Sequence, residues 1–476
     1  MNAIAETVAA LGQWLAAIVF KSVSIAGADV QLIVLWLFGA MVFFTLRLRF
    51  INLRGFGLGI RALRGEFSSP DAPGDLSPFQ SLSTALSGTV GLGNIAGVAI
   101  AISIGGPGAA FWMVVIGFFA MSLKFAEVLL AVKYRVENPD GTVSGGPMWY
   151  LSRGLARRGM PRLGRLLAYT YAIFALFAFI QILQVNQSYS QVRSALDLGE
   201  NLSAAFGYGV VFALLAGVAL IGGVRSVGRT TSKLAPLMCG LYLLGVAVVL
   251  LTNASNIGPA IGVILSDAFS LDATTGGILG AFIAGMRRAV YSNEAGIGSA
   301  AIAHAAVKTS HPASEGYVAL LEPFVDTIVV CSATAILIVS TGVWTEGYTD
   351  IAMTSAAFAT VSTWFPIVLA ICVFVFALST TIAVGYYGQQ IIAFLFGDSK
   401  RLRLAYLVVF CGMLPIGAIA DVTAVINLID SLFFLLSIPN LIGVLLMSSV
   451  VLIEIAEFKR YRMEAALQST PRQREH

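Results

Sequence analysis

A run of small and polar residues interrupts an otherwise apolar segment early in the chain. Between Ser87 and Gly97 the sequence reads Ser-Gly-Thr-Val-Gly-Leu-Gly-Asn-Ile-Ala-Gly. A bilayer offers no partners for main-chain N–H and C=O groups, so an interrupted membrane helix is tolerated only where it is buried in protein or lines a cavity. The freed N–H groups suit a carboxylate, and the freed carbonyl groups suit a cation. The run therefore predicts a binding site at mid-membrane depth.

The composition supports a membrane location. Hydrophobic residues make up 58% of the 476 residues and charged residues 11%, and the mean hydropathy is +0.86. Soluble domains carry about 25% charged residues, so we expect a protein of the lipid bilayer rather than an enzyme. The net charge of +4 is small, and the sequence contains no nucleic-acid-binding motif. We expect neither a nucleic-acid partner nor an obligate protein partner.

The cysteines and histidines predict no metal site. The four cysteines lie in apolar runs without a CxxC pair, and the three histidines do not form a ligand set. Gly91-x-Gly93-x-x-Ala96 formally fits a dinucleotide fingerprint, which would make the protein an oxidoreductase. However, no strand precedes this pattern and no acidic residue follows about 20 positions later. We therefore expect no organic cofactor.

Runs of about 20 apolar residues predict about eleven membrane helices. Residues 1–76 would hold a surface-lying N-terminal segment, the first membrane helix and a cytoplasmic loop. Residues 77–252 and 253–455 would each form a five-helix repeat, and residues 456–476 a cytoplasmic tail. The predicted spans lie near residues 29–48, 77–104, 107–133, 166–187, 207–224, 232–252, 274–306, 318–342, 366–395, 404–421 and 426–455.

Basic residues cluster in alternate loops, which predicts the orientation. The clusters occupy residues 47–64, 133–165, 225–233, 308, 400–403 and 459 onward. The opposite loops contain Arg193 as their only basic residue. By the positive-inside rule the basic loops are cytoplasmic. We expect a multi-pass protein of the plasma membrane, of the bacterial inner-membrane type, with the N-terminus outside and the C-terminus inside.

The two predicted repeats open with similarly interrupted helices. One interruption is Gly91–Asn94, and the other is Gly296–Ser299, which follows Tyr291–Glu294. Five helices per repeat make the two repeats inverted in the membrane, and paired broken helices point to a central site. An ion channel would also need internal breaks, but paired interruptions in inverted halves favour alternating access.

Several blocks, in order along nearly the whole chain, carry a family resemblance. The blocks are Gly91–Gly97, Gly105–Met113, Lys124–Glu127, Ala131–Arg135, Gly145–Met148, Ser292–Ala300, Ala303–Ala305, Asp326–Cys331, Tyr386–Gly388 and Ile438–Ile442. They resemble the alanine or glycine:cation symporters, also called sodium:alanine symporters. The resemblance implies an all-α, leucine-transporter-type fold of 5+5 inverted helices, with broken first and sixth core helices and one additional N-terminal helix. It also implies sodium-driven uptake of a small neutral amino acid, and a proton-driven carrier of the same fold is the alternative.

A zwitterionic amino acid needs donors for its carboxylate and acceptors for its ammonium group. We expect the amides from Gly91 through Gly93 to Asn94 to hold the carboxylate, because glycine permits close approach of the main chain. Thr89 would add a side-chain oxygen. Gln184 aligns with a glutamine that the family places near the substrate. The competing amides are Gln181, Asn186 and Gln187.

The second interruption also carries polar and charged residues. Ser292 and Asn293 are further candidates for substrate binding. Charges at membrane depth cost at least about 2.5 kcal/mol each, so they should face the interior and pair. We expect Glu294 to form an ion pair with Arg287 or Arg288 that clamps this break, and a role in gating or coupling is the alternative.

The resemblance also implies a site for sodium, the expected coupling ion. Its ligands would be the carbonyl groups of Ser87 and Val90 and, on the eighth core helix, the Phe376 carbonyl with the Ser379 and Thr380 hydroxyl groups. Phe376 lies one turn before the two hydroxyl residues, so all three can face one ion. Alternatively, the hydroxyl groups bond back to carbonyl groups of their own helix.

Two positions depart from the common family pattern. Family members commonly carry a tryptophan where this chain has Val384, and a glutamate where it has Gln389. If that tryptophan caps the side-chain pocket, Val384 removes a large wall. A substrate larger than alanine, such as glutamine, then also becomes a candidate.

Further charged residues fall inside predicted spans. Lys124 and Glu127, and likewise Glu322 and Asp326, have the spacing of neighbours on one helix face. For Lys124 and Glu127 the spacing allows structural pairing or a gate. For Glu322 and Asp326 it does not distinguish between these roles. We expect His304 to be a hydrogen-bonded interior residue.

Overall fold

The computed structural model describes residues 2–25, 28–69, 71–139, 141–199, 201–270, 277–420 and 423–469. Helices dominate this part of the chain, which confirms the all-α prediction. The strands described form two short antiparallel hairpins, β1 (Ser22–Ile25) with β2 (Ala28–Gln31) and β3 (Val136–Glu137) with β4 (Val143–Ser144).

The N-terminal half consists of helices in the order that the apolar runs predict. They are α1 (Asn2–Val19), α2 (Leu32–Arg47), α3 (Ile51–Arg54), α4 (Phe56–Leu63), α5 (Pro78–Thr89), α6 (Leu92–Gly105), α7 (Gly108–Lys133), α8 (Pro147–Trp149), the π-helical turn Tyr150–Gly154, α9 (Leu155–Arg157), α10 (Pro161–Ala178), α11 (Ile182–Ala195), α12 (Leu202–Ile221) and α13 (Gly223–Thr252).

The C-terminal half continues in the same way. Its helices are α14 (Ala254–Ala268), α15 (Gly277–Asn293), α16 (Ala300–His304), α17 (Pro312–Ala319), α18 (Leu321–Pro323), the π-helix Phe324–Cys331, α19 (Ser332–Thr341), a 3₁₀ turn (Val343–Thr345), α20 (Asp350–Ala359), α21 (Pro366–Phe396), α22 (Lys400–Ile419), α23 (Thr423–Leu435), α24 (Ser437–Leu446) and α25 (Ser448–Ser469).

Each of the eleven predicted spans contains helix. Eight spans among the described residues are long and apolar enough to cross a membrane, and the bent pair α5 and α6 makes nine. The other two predicted spans fall short by length: α2 has 16 residues, and α15 ends after 17. The count of eleven therefore stays a prediction. The chain is a multi-pass helical membrane protein.

The first interruption separates α5 from α6 at Val90 and Gly91, and we call it the first break. Ser77 starts α5, because its hydroxyl accepts from the Gln80 N–H while Gln80 caps the Ser77 N–H in return. At the other end, the Gly91 N–H donates to Asn94 Oδ1 at 3.0 Å. The side chain of Asn94 thus starts α6, and the two helices meet with a bend of 42°.

The second interruption separates α15 from α16 over Glu294–Ser299, and we call it the second break. Gly296 and Gly298 have φ angles of 90° and 85°, a region that glycine occupies at little cost. Glu294 also has a positive φ, of 54°. The helix cannot continue through such residues, so the interruption that the glycines indicate is present.

The two broken helices pack at the centre of the molecule in an inverted arrangement. Helix α6 packs against α15, and α5 packs against α16. The chain entering α5 also pairs with the chain leaving α16, because the Leu76 N–H bonds to the Ala306 carbonyl and the Lys308 N–H bonds to the Leu76 carbonyl. Arg135, just after α7, donates to the carbonyl groups of Ala305 and Val307. One end of the broken pair is therefore tied to α7.

Candidate functional site

A small cavity lies beside the first break. Its volume is about 60 Å³, which is enough for a few water-sized groups. The same cavity is lined by Tyr291 near the end of α15, by Glu294 of the second break and by Thr380 of α21. Five of the predicted substrate residues line it: Thr89, Gly91, Gly93, Gln184 and Val384.

Polar side-chain atoms at this cavity have no partner in the described structure. They are Gln184 Oε1, Thr380 Oγ1 and Gln181 Oε1, and all three are shielded from solvent. A Cβ atom on Gly91 would lie only 3.0 Å from Thr380 Oγ1, so glycine keeps the main chain close to this hydroxyl. Leaving such atoms unpaired costs about 1–3 kcal/mol each. The cavity is therefore suited to a polar solute that pairs with them.

Asn94 does not line the cavity but lies behind it, fully buried. While its Oδ1 caps Gly91, its Nδ2 donates to Ser292 Oγ at 3.0 Å and to Asp326 Oδ1 at 2.6 Å. Ser292 Oγ in turn donates to Asp326 Oδ2 at 2.6 Å. These side chains connect the first break to the end of α15, so Asn94 and Ser292 are placed to position the cavity's main chain.

Asp326 is the residue that the sequence analysis missed at this site. Its carboxylate is fully buried and accepts from Asn94, Ser292 and, at 2.7 Å, Thr327 Oγ1. The spacing along the chain paired it with Glu322 instead. The sequence did contain one indication of its importance, because Asp326 begins Asp326–Cys331, a block that carries the family resemblance. The side chain puts a carboxylate beside both broken helices.

Asn293 has the same local role at the second break that Asn94 has at the first. Its Oδ1 accepts from the Ala295 N–H at 3.0 Å, and its Nδ2 donates to Thr327 Oγ1 at 3.1 Å. Asn293 is fully buried and does not line the cavity. Its prediction as a substrate ligand stays a prediction.

The residues predicted for sodium come together between α5 and α21. Ser379 Oγ donates across to Ser87 Oγ at 2.7 Å, so it does not bond back to its own helix. In a continuous helix the Gly91 N–H would donate to the Ser87 carbonyl four residues earlier. Here it donates to Asn94 Oδ1 instead. The Ser87 carbonyl is therefore released from this bond.

The remaining predicted ligands are buried in the same region. Val90 ends α5 with an extended conformation, at φ −73° and ψ 101°, so its carbonyl group leaves the helical direction. Phe376 and Thr380 are buried on α21. The arrangement gathers hydroxyl and carbonyl oxygens, the ligands that hard cations prefer.

The expected ion pair at the second break is wrong. Among the described residues, Glu294 forms no salt bridge with Arg287 or Arg288, and its carboxylate accepts from the Ser299 hydroxyl instead. The Arg287 guanidinium lies 4.5 Å from the centre of the Phe20 ring, and that of Arg288 lies 6.0 Å from the Tyr291 ring. Glu294 has already left the helix that carries the arginines, which is why the pair does not form.

Of the two possibilities for Lys124 and Glu127, a direct ion pair is not present among the described residues, and a gate stays a prediction. Lys124 Nζ lies 3.1 Å from Glu322 on α18, and Glu127 accepts from Asn440 Nδ2 at 2.5 Å. His304 is a hydrogen-bonded interior residue, as expected, with its Nδ1 2.6 Å from Glu315 Oε1. Contacts between helices decide these pairs, whereas sequence spacing reports only neighbours on one helix.

Comparison with known proteins decides the family. Residues 13–472 match the model of the sodium:alanine symporter family. The chain belongs to this family. It is 38% identical to the sodium/alanine symporter AgcS of Methanococcus maripaludis, over 90% of this chain and 94% of AgcS. It is 34% identical to the Bacillus subtilis protein named "Probable sodium/glutamine symporter GlnT", over 91% of this chain and 88% of GlnT.

Structure comparison places this family member in the leucine-transporter-type fold. The solved structure of MhsT in complex with L-phenylalanine superposes with a TM-score of 0.55 and covers 80% of this chain and 92% of MhsT. At 16% sequence identity this similarity shows the fold alone. The family and its relatives are transporters, so the expectation that this protein is not an enzyme is confirmed, and membership supports amino-acid:cation symport.

Proposed function

We propose that this protein couples the uptake of a small neutral amino acid to sodium by alternating access. The observation that carries the proposal is the cavity at the first break, where the buried oxygens of Gln184 and Thr380 have no partner. Alanine and glycine are the first candidates and glutamine is the next. The sodium/alanine name of AgcS and the sodium/glutamine name of GlnT support these three.

The substrate carboxylate would lie at the start of α6. Gly91 and Gly93 line the cavity there, and the N-terminal end of a helix favours negative charge. A Cβ atom on Gly93 would lie 3.6 Å from the Cα of Ser292, so the two broken helices approach closely at this point. The Gln184 amide and Thr89 would then pair with the remaining polar atoms of the amino acid.

Sodium would lie between the first break and α21. The Ser87 and Val90 carbonyl groups, the Phe376 carbonyl and the Ser379 and Thr380 hydroxyl groups would be its ligands. Thr380 also lines the substrate cavity, so one side chain would touch both ligands. The two sites share the first break, and this shared main chain is the physical basis for coupling.

Val384 would set the size of the accepted side chain. It lines the cavity, where a tryptophan would fill more space. We expect Val384→Trp to retain glycine and alanine uptake and to reduce competition by glutamine at least about tenfold. Uptake of labelled alanine with a panel of unlabelled competitors measures this ratio, and a panel unchanged by the substitution contradicts the assignment.

Proton coupling is the second candidate, because Glu294 lines the same cavity and carries a carboxyl group that could bind a proton. The experiment is uptake into proteoliposomes with sodium replaced by choline at fixed pH. We expect uptake to stop without sodium and to resume when sodium is restored. Uptake that persists in choline and follows an imposed pH gradient would favour the proton.

The topology belongs to the same proposal. By the positive-inside rule the N-terminus would lie outside and the C-terminus in the cytoplasm of a bacterial-type cell. The repeats at 77–252 and 253–455 would then be inverted around the cavity. Single cysteines introduced at Arg162 and at Trp364, in a background without the native cysteines, test this orientation. A membrane-impermeant thiol reagent applied to intact cells should label only position 364, and the reverse pattern would overturn the orientation.

A further inference from the structure

A second cavity lies at the end of the molecule where α2 stops, away from the broken helices. It has a volume of about 890 Å³ and opens between α2, α3, α4, α17 and α25. We call it the basic groove. Among the described residues that line it there are five basic side chains and no acidic one. The five are Arg47, Arg49, Arg54, Lys459 and Arg462.

Apolar side chains form the rest of the groove. Phe43 and Leu46 come from the last turns of α2, and Leu452 and Ile455 come from the apolar part of α25. Phe43, Leu46 and Leu452 are exposed in the isolated protein. Both helices change from apolar to basic residues at this level, so the groove has an apolar part at membrane depth and a basic part at the interface.

A turn in left-handed conformation brings the basic residues together. Arg49 and Phe50 have φ angles of 55° and 56°, which cost ordinary residues some stability. This turn ends α2 and starts α3, so that Arg47 and Arg49 line the same groove as Arg54.

The positive charge of the groove is not neutralised by the protein. In the described part of the chain, none of the five basic side chains forms a salt bridge. Glu66 interacts electrostatically with Arg462, but its carboxylate is engaged by Arg61, whose Nε donates to it at 2.6 Å. Arg54 donates to the Arg49 carbonyl, and Arg47 and Arg462 lie over the Phe43 and Phe67 rings. These partners are neutral, so an anion from outside the chain can still pair with the guanidinium groups.

We propose that the basic groove binds an anionic phospholipid, with its phosphate at the arginines and its acyl chains along Phe43, Leu46 and Leu452. Guanidinium groups match the geometry of phosphate oxygens, and basic pockets between membrane helices suit anionic headgroups. The apolar walls select a lipid over a soluble anion. Bound there, the lipid joins the helix outside the two repeats to α17 and to the C-terminal helix.

The test uses purified, delipidated protein in detergent, with phosphatidylglycerol and phosphatidylcholine of identical acyl chains. Thermal unfolding and lipid retention in native mass spectrometry are the readouts. We expect phosphatidylglycerol to protect at a concentration at least about tenfold lower than phosphatidylcholine. Each basic residue near a charged membrane surface contributes about fivefold. The variant Arg49→Gln/Arg54→Gln/Arg462→Gln should therefore lose the preference.

The matched control is Arg162→Gln/Arg165→Gln, which removes two exposed basic residues of α10 that do not line the groove. It should keep the preference for phosphatidylglycerol. Equal protection by both lipids, or a preference that survives the triple substitution, would overturn the proposal. Equal protection by soluble glycerol phosphate would also overturn it, because the site would then recognise the anion alone. If the triple variant does not fold, Lys459→Gln should still lower retention of phosphatidylglycerol.

Discussion

The two breaks are built differently although each interrupts the opening helix of a repeat. The first takes two residues and contains no left-handed residue, since Gly91 is extended at φ −148°. The second takes six residues, and Glu294, Gly296 and Gly298 are left-handed. The first break faces a cavity with unpaired oxygens, whereas in the second the Glu294 carboxylate, which also lines that cavity, accepts from Ser299, and the Gly296 carbonyl accepts from Asn440.

Hydrogen bonds to other parts of the protein hold the second break. Glu294 accepts from Ser299, and the Gly296 carbonyl accepts from Asn440 Nδ2 at 2.8 Å. Asn293 caps Ala295 locally. We infer that the first break supplies most of the ligand contacts, while the second break supports it.

The strongest test of this difference compares the two asparagines. Asn94→Ala leaves the Gly91 N–H without the Asn94 acceptor, at a cost of about 1–3 kcal/mol. It also removes one of the hydrogen bonds that the Asp326 carboxylate accepts, while those from Ser292 and Thr327 remain. We expect the initial rate of alanine uptake to fall about 100-fold or more. Asn293→Ala removes equivalent local bonds at the second break, and uptake should fall less than about tenfold. Proteoliposomes with matched amounts of reconstituted protein give both rates.

The thermal stability of both variants is the control for this comparison. Each substitution removes a fully buried amide, so similar decreases in melting temperature are expected. Equal loss of uptake in the two variants, at equal stability, would show that the breaks do not differ in function.

A second test sharpens the assignment of the cation to the first break. Thr380→Val preserves shape but removes the hydroxyl group that lines the cavity. We expect the sodium concentration for half-maximal uptake to rise about tenfold, because a ligand worth about 1.5 kcal/mol is lost. Thr381→Val is the matched control, since its hydroxyl is also buried and unpaired but does not line the cavity. A larger sodium effect at Thr381 would move the ion away from the predicted site.

The smallest effect is expected at Glu294. Glu294→Gln keeps an acceptor for the Ser299 hydroxyl and removes the charge. If the second break is a support, sodium dependence should be unchanged and the uptake rate should stay within about threefold of the original. Uptake that loses its dependence on sodium in this variant would instead assign Glu294 to coupling, and the two breaks would then share that role.

The sequence alone determined the class of protein, the approximate positions of the helices and the location of both breaks. These features follow from local properties: apolar runs of sufficient length and glycines within them. Family blocks spread along the chain were also sufficient to indicate the family and its fold. Thr89, Gly91, Gly93, Gln184 and Val384 were predicted together, and the structure brings all five to one cavity.

Only the tertiary structure decided which polar groups meet across helices. Asn94 and Asp326 are 232 positions apart, and no spacing rule within one helix connects them. The same limit explains why Lys124 pairs with Glu322 on another helix rather than with Glu127. Helical periodicity shows which residues share a face. The neighbour that this face meets depends on how the helices pack, and in a membrane that packing determines the partner of each buried charge.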